Sequence, residues 1–459
     1  MLFRALLTAP LPLLVLGAQP LNRRQDTASS TGPGTATATP ASTSVSAPPE
    51  VAFTLVSSNP TAFPLTEIVA TPVTHTTQTL DWTYSAGQSA TAVGSLAPPL
   101  PAVSSLAIAS YPELDKLPAT DSPEVKQWIQ DVANSGITIP DITPTVAGGC
   151  ATNPDRVGNS SICWWTCGQC TRETDITTCP DKLTWGLSFD DGPSPDTPRL
   201  LDYLSSQNLH TTFFVVGSRA ISRQDILQAE YMQGHQLSVH TWSHPALTTL
   251  TNDQIIAELG WTAKVIKEIT GVTPNTFRPP YGDIDDRVRA IGRAMGMTAI
   301  IWSEASNHVD NFDTNDWHIG AGTVSASGVI ASFESILQDA TNLNSGFIVL
   351  AHDLYQQSVD LAIGYILPDA LARTNPKFKL MSIIECLGEP LANAYKETNN
   401  NSTNPPPTGI NQSVSYPGAS ASASSSSSTS SHNSATNVGV GNGGVVFGLV
   451  VAMGLALLA

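Results

Sequence analysis

The chain has 459 residues, of which only 13% are charged, and its formal net charge is -17 with a pI of about 4.8. This acidity argues against nucleic acid as a partner, because phosphate binding needs clustered Lys and Arg. The low charged fraction reflects long uncharged stretches at the two ends of the chain. Together with the acidity, it favours an exported protein.

The first 18 residues have the features of a signal peptide. Arg4 supplies a positive start, residues 6–16 form an apolar stretch, and residues 16–18 offer small side chains for cleavage. The alternative is a membrane-spanning anchor, which needs roughly 20 consecutive apolar residues. This stretch is shorter and contains Pro10 and Pro12, so we predict a secreted protein.

Residues 19–145 form a Ser/Thr/Pro-rich region whose structure the sequence leaves open. Residues 25–50 are dominated by Ser, Thr, Pro and Ala, a composition that buries too little apolar surface to offset the entropy of ordering. We predict a disordered, glycosylated stalk there. Residues 51–145 are more apolar, and within them only the stretch 123–132 predicts a short helix.

The six cysteines are even in number, which in a secreted chain predicts disulfides. Four of them lie in a Cys-rich segment, residues 146–178. Cys167 and Cys170 form a CxxC pair that would also suit a metal or redox site, but without a second pair we favour structural bridging. Cys179 and Cys386 bracket the next segment and are expected to pair, although the sequence alone leaves the connectivity open.

Residues 179–386 alternate between predicted strands and helices. The strands are expected at 183–189, 211–216, 236–240, 298–302, 346–351 and 378–384. Helices are expected at 197–207, at 222–234, and after Asn252 and Asp253, either of which can act as the cap. This alternation and the length of the segment predict a small α/β barrel, in which the chemistry lies at the C-terminal ends of the strands.

Polar side chains suited to metal binding or proton transfer follow these predicted strands: Asp190, Asp191, His240, His244, Arg278 and His352. Polar residues in loops are common, but a barrel would bring this whole set to one rim. His240 and His244 are spaced so that both can face one ion, and Asp191 adds an oxygen. Two His and one carboxylate leave an open coordination position, as in catalytic zinc sites or sites for other divalent metals. Asp190 would then accept a proton from water, with Arg278 keeping it ionised.

Five motifs carry a resemblance to a known family: SFDDGP (188–193), HTWSHP (240–245), RPPYG (278–282), DTNDW (313–317) and LAH (350–352). Their order and spacing resemble the polysaccharide deacetylase family, carbohydrate esterase family four, and most of all its fungal chitin deacetylases. The resemblance covers roughly residues 180–385. It implies a distorted (β/α) barrel that hydrolyses the N-acetyl groups of N-acetylglucosamine polymers to give acetate and, from chitin, chitosan.

Residue by residue, the resemblance implies a divalent metal, zinc or cobalt, held by Asp191, His240 and His244. It also implies that Asp190 is the general base. Arg278 matches the partner of that base.

The same resemblance implies that His352 is the general acid, which protonates the leaving amine, and that Asp316 is its carboxylate partner. Tyr281 matches the position whose backbone N–H stabilises the oxyanion. Trp317 and Leu350 match apolar walls of the acetyl and sugar site.

One departure from the family pattern is the segment 303–312, which separates Trp302 from the DTNDW motif. Such a loop at the rim would reshape which sugars fit. His308 and Asp310 within it either approach the substrate or, as we favour, are simply exposed to solvent.

The C-terminal end of the chain predicts a lipid anchor. Residues 387–433 form a Ser/Asn-rich stalk, and residues 434–459 contain a polar spacer and an apolar tail, the pattern of a glycosylphosphatidylinositol (GPI) propeptide. Attachment is expected at Asn433 or Ser434; a tail-anchor helix is the less favoured alternative. Asn-x-Ser/Thr sequons predict glycosylation at four positions: Asn159, Asn400, Asn401 and Asn411.

These features together predict a secreted, monomeric chitin deacetylase held at the plasma membrane by a GPI anchor and acting at the cell wall. A related esterase that removes acetyl groups from xylan would use the same metal and base. A third hypothesis is a wall protein that binds chitin without turnover, with Trp242, Trp302 and Trp317 as stacking platforms.

Overall fold

The computed structural model describes residues 48–71, 78–307 and 310–399. Several predicted features lie outside these residues: the signal peptide, the GPI propeptide, the attachment site at Asn433 or Ser434, the sequons at Asn400, Asn401 and Asn411, and His308. Within the described ranges, no helix combines the length and the apolar character needed to cross a membrane.

A seven-stranded, all-parallel sheet forms the centre of the fold. Its strands are β1 Thr184–Asp190, β2 Thr212–Val215, β3 Gln236–Val239, β4 Thr276–Phe277, β5 Thr298–Ala299, β6 Phe347–Ile348 and β7 Lys379–Ser382. The order is β5-β4-β3-β2-β1-β6, and β7 pairs with β1 as well. Every residue of β1, β2 and β3 is buried, as expected for parallel strands covered on both faces. Each of the six predicted strands is present, but β5, β6 and β7 are shorter than predicted, and residues 383–384 begin a helix instead. The two-residue β4 was missed because it lies among prolines.

Backbone hydrogen bonds close this sheet into a distorted barrel. Beyond β5, the Ser303 N–H donates to the Ile348 carbonyl oxygen at 3.0 Å, and the Leu350 N–H donates to the Phe312 carbonyl oxygen at 2.8 Å. On β1, β7 pairs with residues 184–187 and β2 with residues 188–190. The predicted α/β barrel is therefore confirmed.

The helices surround the barrel. They are α1 Pro123–Ala133, α2 Thr197–Ser206, α3 Gly217–Ser222, α4 Gln224–Met232, α5 Asn252–Thr270, α6 Asp286–Ala294, α7 Ala326–Ala340, α8 Gln356–Leu361, α9 Leu367–Ala372 and α10 Ile383–Cys386, with a π-helical turn at Ala362–Ile366. The predicted cap of α5 is corrected. Thr251 forms a capping box with Gln254, so Asn252 and Asp253 lie in the first turn.

Short 3-10 helices occupy connecting segments: Leu65–Glu67, Val103–Ser105, Ile108–Ser110, Gly149–Thr152, Pro154–Arg156, Trp165–Cys167, Leu247–Thr249, Pro280–Gly282, Asp316–His318 and Leu391–Ala394.

Three disulfides join the six cysteines: Cys150–Cys167, Cys163–Cys170 and Cys179–Cys386. The last is the pair expected from the sequence. The two cysteines of the CxxC pair belong to different disulfides, which rules out a metal or redox site there and leaves the structural role.

The described part of the N-terminal region packs along the barrel. The Asn59 N–H donates to the Gly364 carbonyl oxygen at 2.8 Å, and the Thr145 N–H donates to the Thr248 carbonyl oxygen at 2.9 Å. Between these points, the predicted helix is present as α1, and its Trp128 lies against Gly260 of α5. A Cβ atom at residue 260 would lie 2.3 Å from the indole, so only glycine permits this approach.

Candidate active site

Three side chains that could hold a metal ion converge at the C-terminal ends of β1 and β3. Asp191 follows β1, His240 follows β3, and His244 lies four residues further along the same loop. The Asp191 Oδ1 atom is 3.5 Å from His240 Nε2 and 3.1 Å from His244 Nε2. One potential ligand atom from each residue lies within 4.8 Å of the others. The barrel thus places these three residues as the sequence predicts.

The hydrogen bonds of His240 orient it for metal binding. Its Nδ1 atom is 2.8 Å from the Arg278 carbonyl oxygen, which only accepts, so Nδ1 carries the proton and Nε2 presents a lone pair. Burial, with the nearby His244 ring, holds the pKa of His240 well below its usual range, which keeps the imidazole neutral. His244 Nδ1 is 3.2 Å from the Tyr281 hydroxyl.

Asp191 supplies an ionised oxygen. Burial favours protonation of its carboxyl, but His244 and Arg219 outweigh that effect and hold the pKa of Asp191 well below its usual range. Its buried Oδ1 atom has no hydrogen-bond partner among the described residues, an arrangement that buried polar atoms rarely keep without another partner. Two imidazoles and one carboxylate fit a divalent transition metal with an open position.

The loop between the two histidines is held by a residue that the sequence did not single out. Glu258 of α5 is fully buried, and its Oε2 atom accepts from the backbone N–H groups of Trp242 and Ser243 at 2.7 and 2.8 Å. Its Oε1 atom accepts from the Ser243 hydroxyl at 2.5 Å. A lone Glu in a helix carries no signal of this role, because the contact exists only after α5 packs against the loop.

Asp190 and Arg278 form a buried ion pair beside the metal ligands. The Arg278 Nη1 atom lies 2.6 Å from Asp190 Oδ1 and 3.0 Å from the Ser188 hydroxyl. The guanidinium also lies 3.8 Å from the centre of the Phe214 ring. Burial raises the pKa of Asp190 to about 6, against the opposing charges of Arg278 and His352. Asp190 is therefore mainly ionised at neutral pH, so it can accept a proton.

His352 and Asp316 form a second buried pair across the rim. The Asp316 carboxylate accepts from His352 Nδ1 at 2.6 Å and from the His352 backbone N–H at 2.9 Å. Burial alone would lower the pKa of His352, but Asp316, with Asp191 and Asp190, raises it to about 10. The imidazole is therefore protonated at neutral pH and can donate a proton.

The DTNDW motif reaches the rim even though the segment 303–312 precedes it. This segment leaves and returns at one point, because the Phe312 N–H donates to the Ser303 carbonyl oxygen at 2.9 Å and Glu304 pairs with Asn311. Asp313 then pairs with Leu350 beside β6. This return places Asp316 against His352 despite the extra residues.

The remaining predicted site residues lie around this rim. Tyr281 is 58% exposed and has a positive φ of 60°, a conformation that is uncommon outside glycine. Leu350 is buried, and Trp317 is half-buried with its ring stacked on His318.

Two of the three tryptophans proposed as stacking platforms are inaccessible: Trp242 is 0% exposed and Trp302 is 5% exposed. Trp317 is the one ring of the three that stays accessible, which weakens the hypothesis of a non-catalytic chitin binder.

Asp353 is another buried carboxyl that the sequence reasoning missed. It accepts from the Thr197 hydroxyl at 2.5 Å, and its backbone N–H donates to the Asp190 carbonyl oxygen at 3.1 Å. In the sequence, only its position directly after His352 would have marked Asp353 as a candidate site residue.

The chain is similar to known polysaccharide deacetylases, and several of its relatives are chitin deacetylases. The polysaccharide deacetylase family model matches residues 177–300. Chitin deacetylase 1 of Cryptococcus neoformans var. grubii is 56% identical over 343 residues, 74% of this chain and 71% of that protein. The chitin deacetylase of Amylomyces rouxii is 41% identical over 213 residues, 44% of this chain and 47% of that protein. A solved chitin deacetylase from the fungal pathogen Colletotrichum lindemuthianum is 26% identical, with a TM-score of 0.41 over 50% of this chain and 97% of that one.

Proposed function

This chain belongs to the polysaccharide deacetylase family, whose members are hydrolases, and from that premise we propose that it is a metal-dependent chitin deacetylase. It removes N-acetyl groups from N-acetylglucosamine units of chitin and releases acetate and chitosan. The similarity to named chitin deacetylases supports this substrate. Acetylated xylan is the alternative substrate that the same chemistry would serve.

One observation carries the proposal: the Asp191, His240 and His244 group shares one rim with the buried Asp190–Arg278 and Asp316–His352 pairs, and the backbones of Asp190 and His352 are themselves paired. These three residues would hold zinc or cobalt. Such a cation supplies Lewis acidity towards the amide carbonyl and towards water.

Different residues of the protein would then carry out the two proton transfers. Asp190 accepts a proton from the attacking water as the C–O bond forms, and Arg278 keeps that carboxylate ionised between turnovers. The Tyr281 backbone N–H donates to the carbonyl oxygen as negative charge develops there. His352, oriented by Asp316, donates its proton to the amine nitrogen as the C–N bond breaks. The products are acetate and a free amine.

Trp317 and Leu350 would line the acetyl and sugar site in this scheme. The half-buried Trp317 ring offers an apolar face to a sugar, and the buried Leu350 offers a wall beside it.

The cellular setting is a further part of the proposal. Three disulfides favour an oxidising compartment, in agreement with the signal peptide predicted at residues 1–18. We place a catalytic domain at residues 179–386 and a GPI anchor after Asn433 or Ser434, with the enzyme a monomer at the plasma membrane and cell wall. Asn159 is exposed and suits a glycan.

The test is acetate release by a secreted chain of residues 19–432 from chitin hexamer and from acetylated xylan. Each substrate is assayed after chelation and again after addition of zinc or cobalt. Chelator-sensitive release from the hexamer is the expected result. Acetate release from acetylated xylan alone would show that xylan, and not chitin, is the substrate. Acetate release that the chelator leaves unchanged would contradict the metal site.

A further inference from the structure

The N-terminal residues 111–115 lie against the loop that carries His240 and His244. The Tyr111 ring is parallel to the Trp242 ring, with ring centroids 5.9 Å apart. The Trp242 Nε1–H donates to the Glu113 carbonyl oxygen at 3.1 Å. Asp115 accepts from the Ser218 hydroxyl at 2.8 Å, which joins the segment to α3 at the same rim. These five residues lie outside the part matched by the family model, 177–300.

The loop that receives these contacts has an uncommon backbone. Thr241 and His244 have positive φ angles of 67° and 61°, although neither is a glycine. Conformations of this kind persist only where the surroundings enforce them. Glu258 holds the loop backbone from the side of α5, and Tyr111 and Glu113 contact the Trp242 side chain.

Trp242 lies between the two histidines in sequence, and its indole is completely buried. Tyr111 and Trp261 both contact it, with centroid distances of 5.9 and 6.4 Å. Tyr111 is itself fixed by a hydrogen bond from its hydroxyl to Glu268. Because the indole is packed on these sides and Trp242 lies between His240 and His244 in the chain, its packing constrains the backbone that joins the two histidines.

We propose that residues 111–115 are a positioning element of the metal site, acting through Trp242 on the two histidines. This inference rests on the proposed metal-dependent function. It gives a role to part of the long N-terminal region, which the sequence left without one. The contacts of the segment are to Trp242 and to Ser218 of α3, so we expect its effect to be on metal affinity.

The test measures Zn²⁺ affinity of the metal-free secreted chain by competition with a chelating dye, without any substrate. Tyr111→Ala removes the ring that packs on Trp242, and we expect Zn²⁺ to bind about tenfold more weakly, the lower end of outer-shell effects. Tyr111→Phe keeps the ring and loses only the hydroxyl, so it should bind Zn²⁺ nearly as tightly as the wild type.

Tyr84→Ala is the matched control. Tyr84 is another half-buried tyrosine of the N-terminal region that packs on the core, and it lies near Gln233, which precedes β3, whereas His240 follows that strand. Thermal unfolding of the metal-free proteins records the loss of stability in each variant. We expect Tyr84→Ala to lower the melting temperature and leave Zn²⁺ affinity unchanged.

Equal Zn²⁺ affinity of the wild type and Tyr111→Ala would overturn this inference alone. An equal loss of affinity in Tyr111→Ala and Tyr84→Ala would also overturn it, because the effect would then follow general stability. Absence of Zn²⁺ and Co²⁺ binding by the wild type would instead overturn the proposed function on which the inference rests.

Discussion

Replacing Asp316 by Asn should move the alkaline limit of activity downward by several pH units. Asp316 accepts two hydrogen bonds from His352 and is the main cause that raises the pKa of its imidazole to about 10. With that charge removed, burial dominates, and the pKa of His352 should fall to its ordinary value of about 6.5 or below. A general acid acts while protonated, so activity is lost as the pH rises through this pKa.

The magnitude follows from the protonated fraction. At about pH 8 an imidazole with a pKa of about 10 is about 99% protonated, whereas one with a pKa of about 6.5 is only about 3% protonated. Asp316→Asn should therefore cost at least about 30-fold in kcat/KM at that pH, with a much smaller loss near pH 5.5.

The assay is acetate release from chitin hexamer across pH 5 to 9.5, with Zn²⁺ occupancy measured at each pH. Asp313→Asn is the matched control, because it removes a nearby half-buried carboxyl that accepts from the Asn315 N–H and not from His352; its alkaline limit should move less. A loss of activity in Asp316→Asn that is the same at every pH would refute the reasoning.

Three other changes test separate parts of the structure. Asp190→Asn should lower kcat about 10²- to 10⁴-fold and leave Zn²⁺ affinity nearly unchanged, as measured by acetate release and metal titration; retained turnover would exclude Asp190 as the base. Glu258→Ala removes the acceptor of two backbone N–H groups of the loop, so Zn²⁺ should bind about ten- to a hundredfold more weakly; unchanged affinity in dye competition would contradict this. Replacing Cys179 and Cys386 by Ser opens a link across 207 positions and should lower the free energy of unfolding by about 2–5 kcal/mol, measured by urea titration, while the protein that remains folded keeps its kcat.

Much of the barrel and its rim follows from local patterns in the sequence. The run that forms β1 is apolar or small up to its last residue, Asp190, and Asp191 follows directly, so their position at a strand end needs no tertiary information. The spacing of His240 and His244 likewise predicts that both can face one ion. The short strand β4 was missed because two residues among prolines carry no periodicity.

The sequence by itself determined the candidate chemical groups of this protein: the proposed metal ligands, the proposed acid and base, and the order of the five motifs along alternating strands and helices. Only the tertiary structure decided which groups hold them in place. Glu258, Asp353 and residues 111–115 have no local signature, because a carboxylate or a tyrosine looks the same in sequence when it faces solvent. Their roles arise from contacts between segments far apart in the chain, which exist only once the barrel has closed and packed.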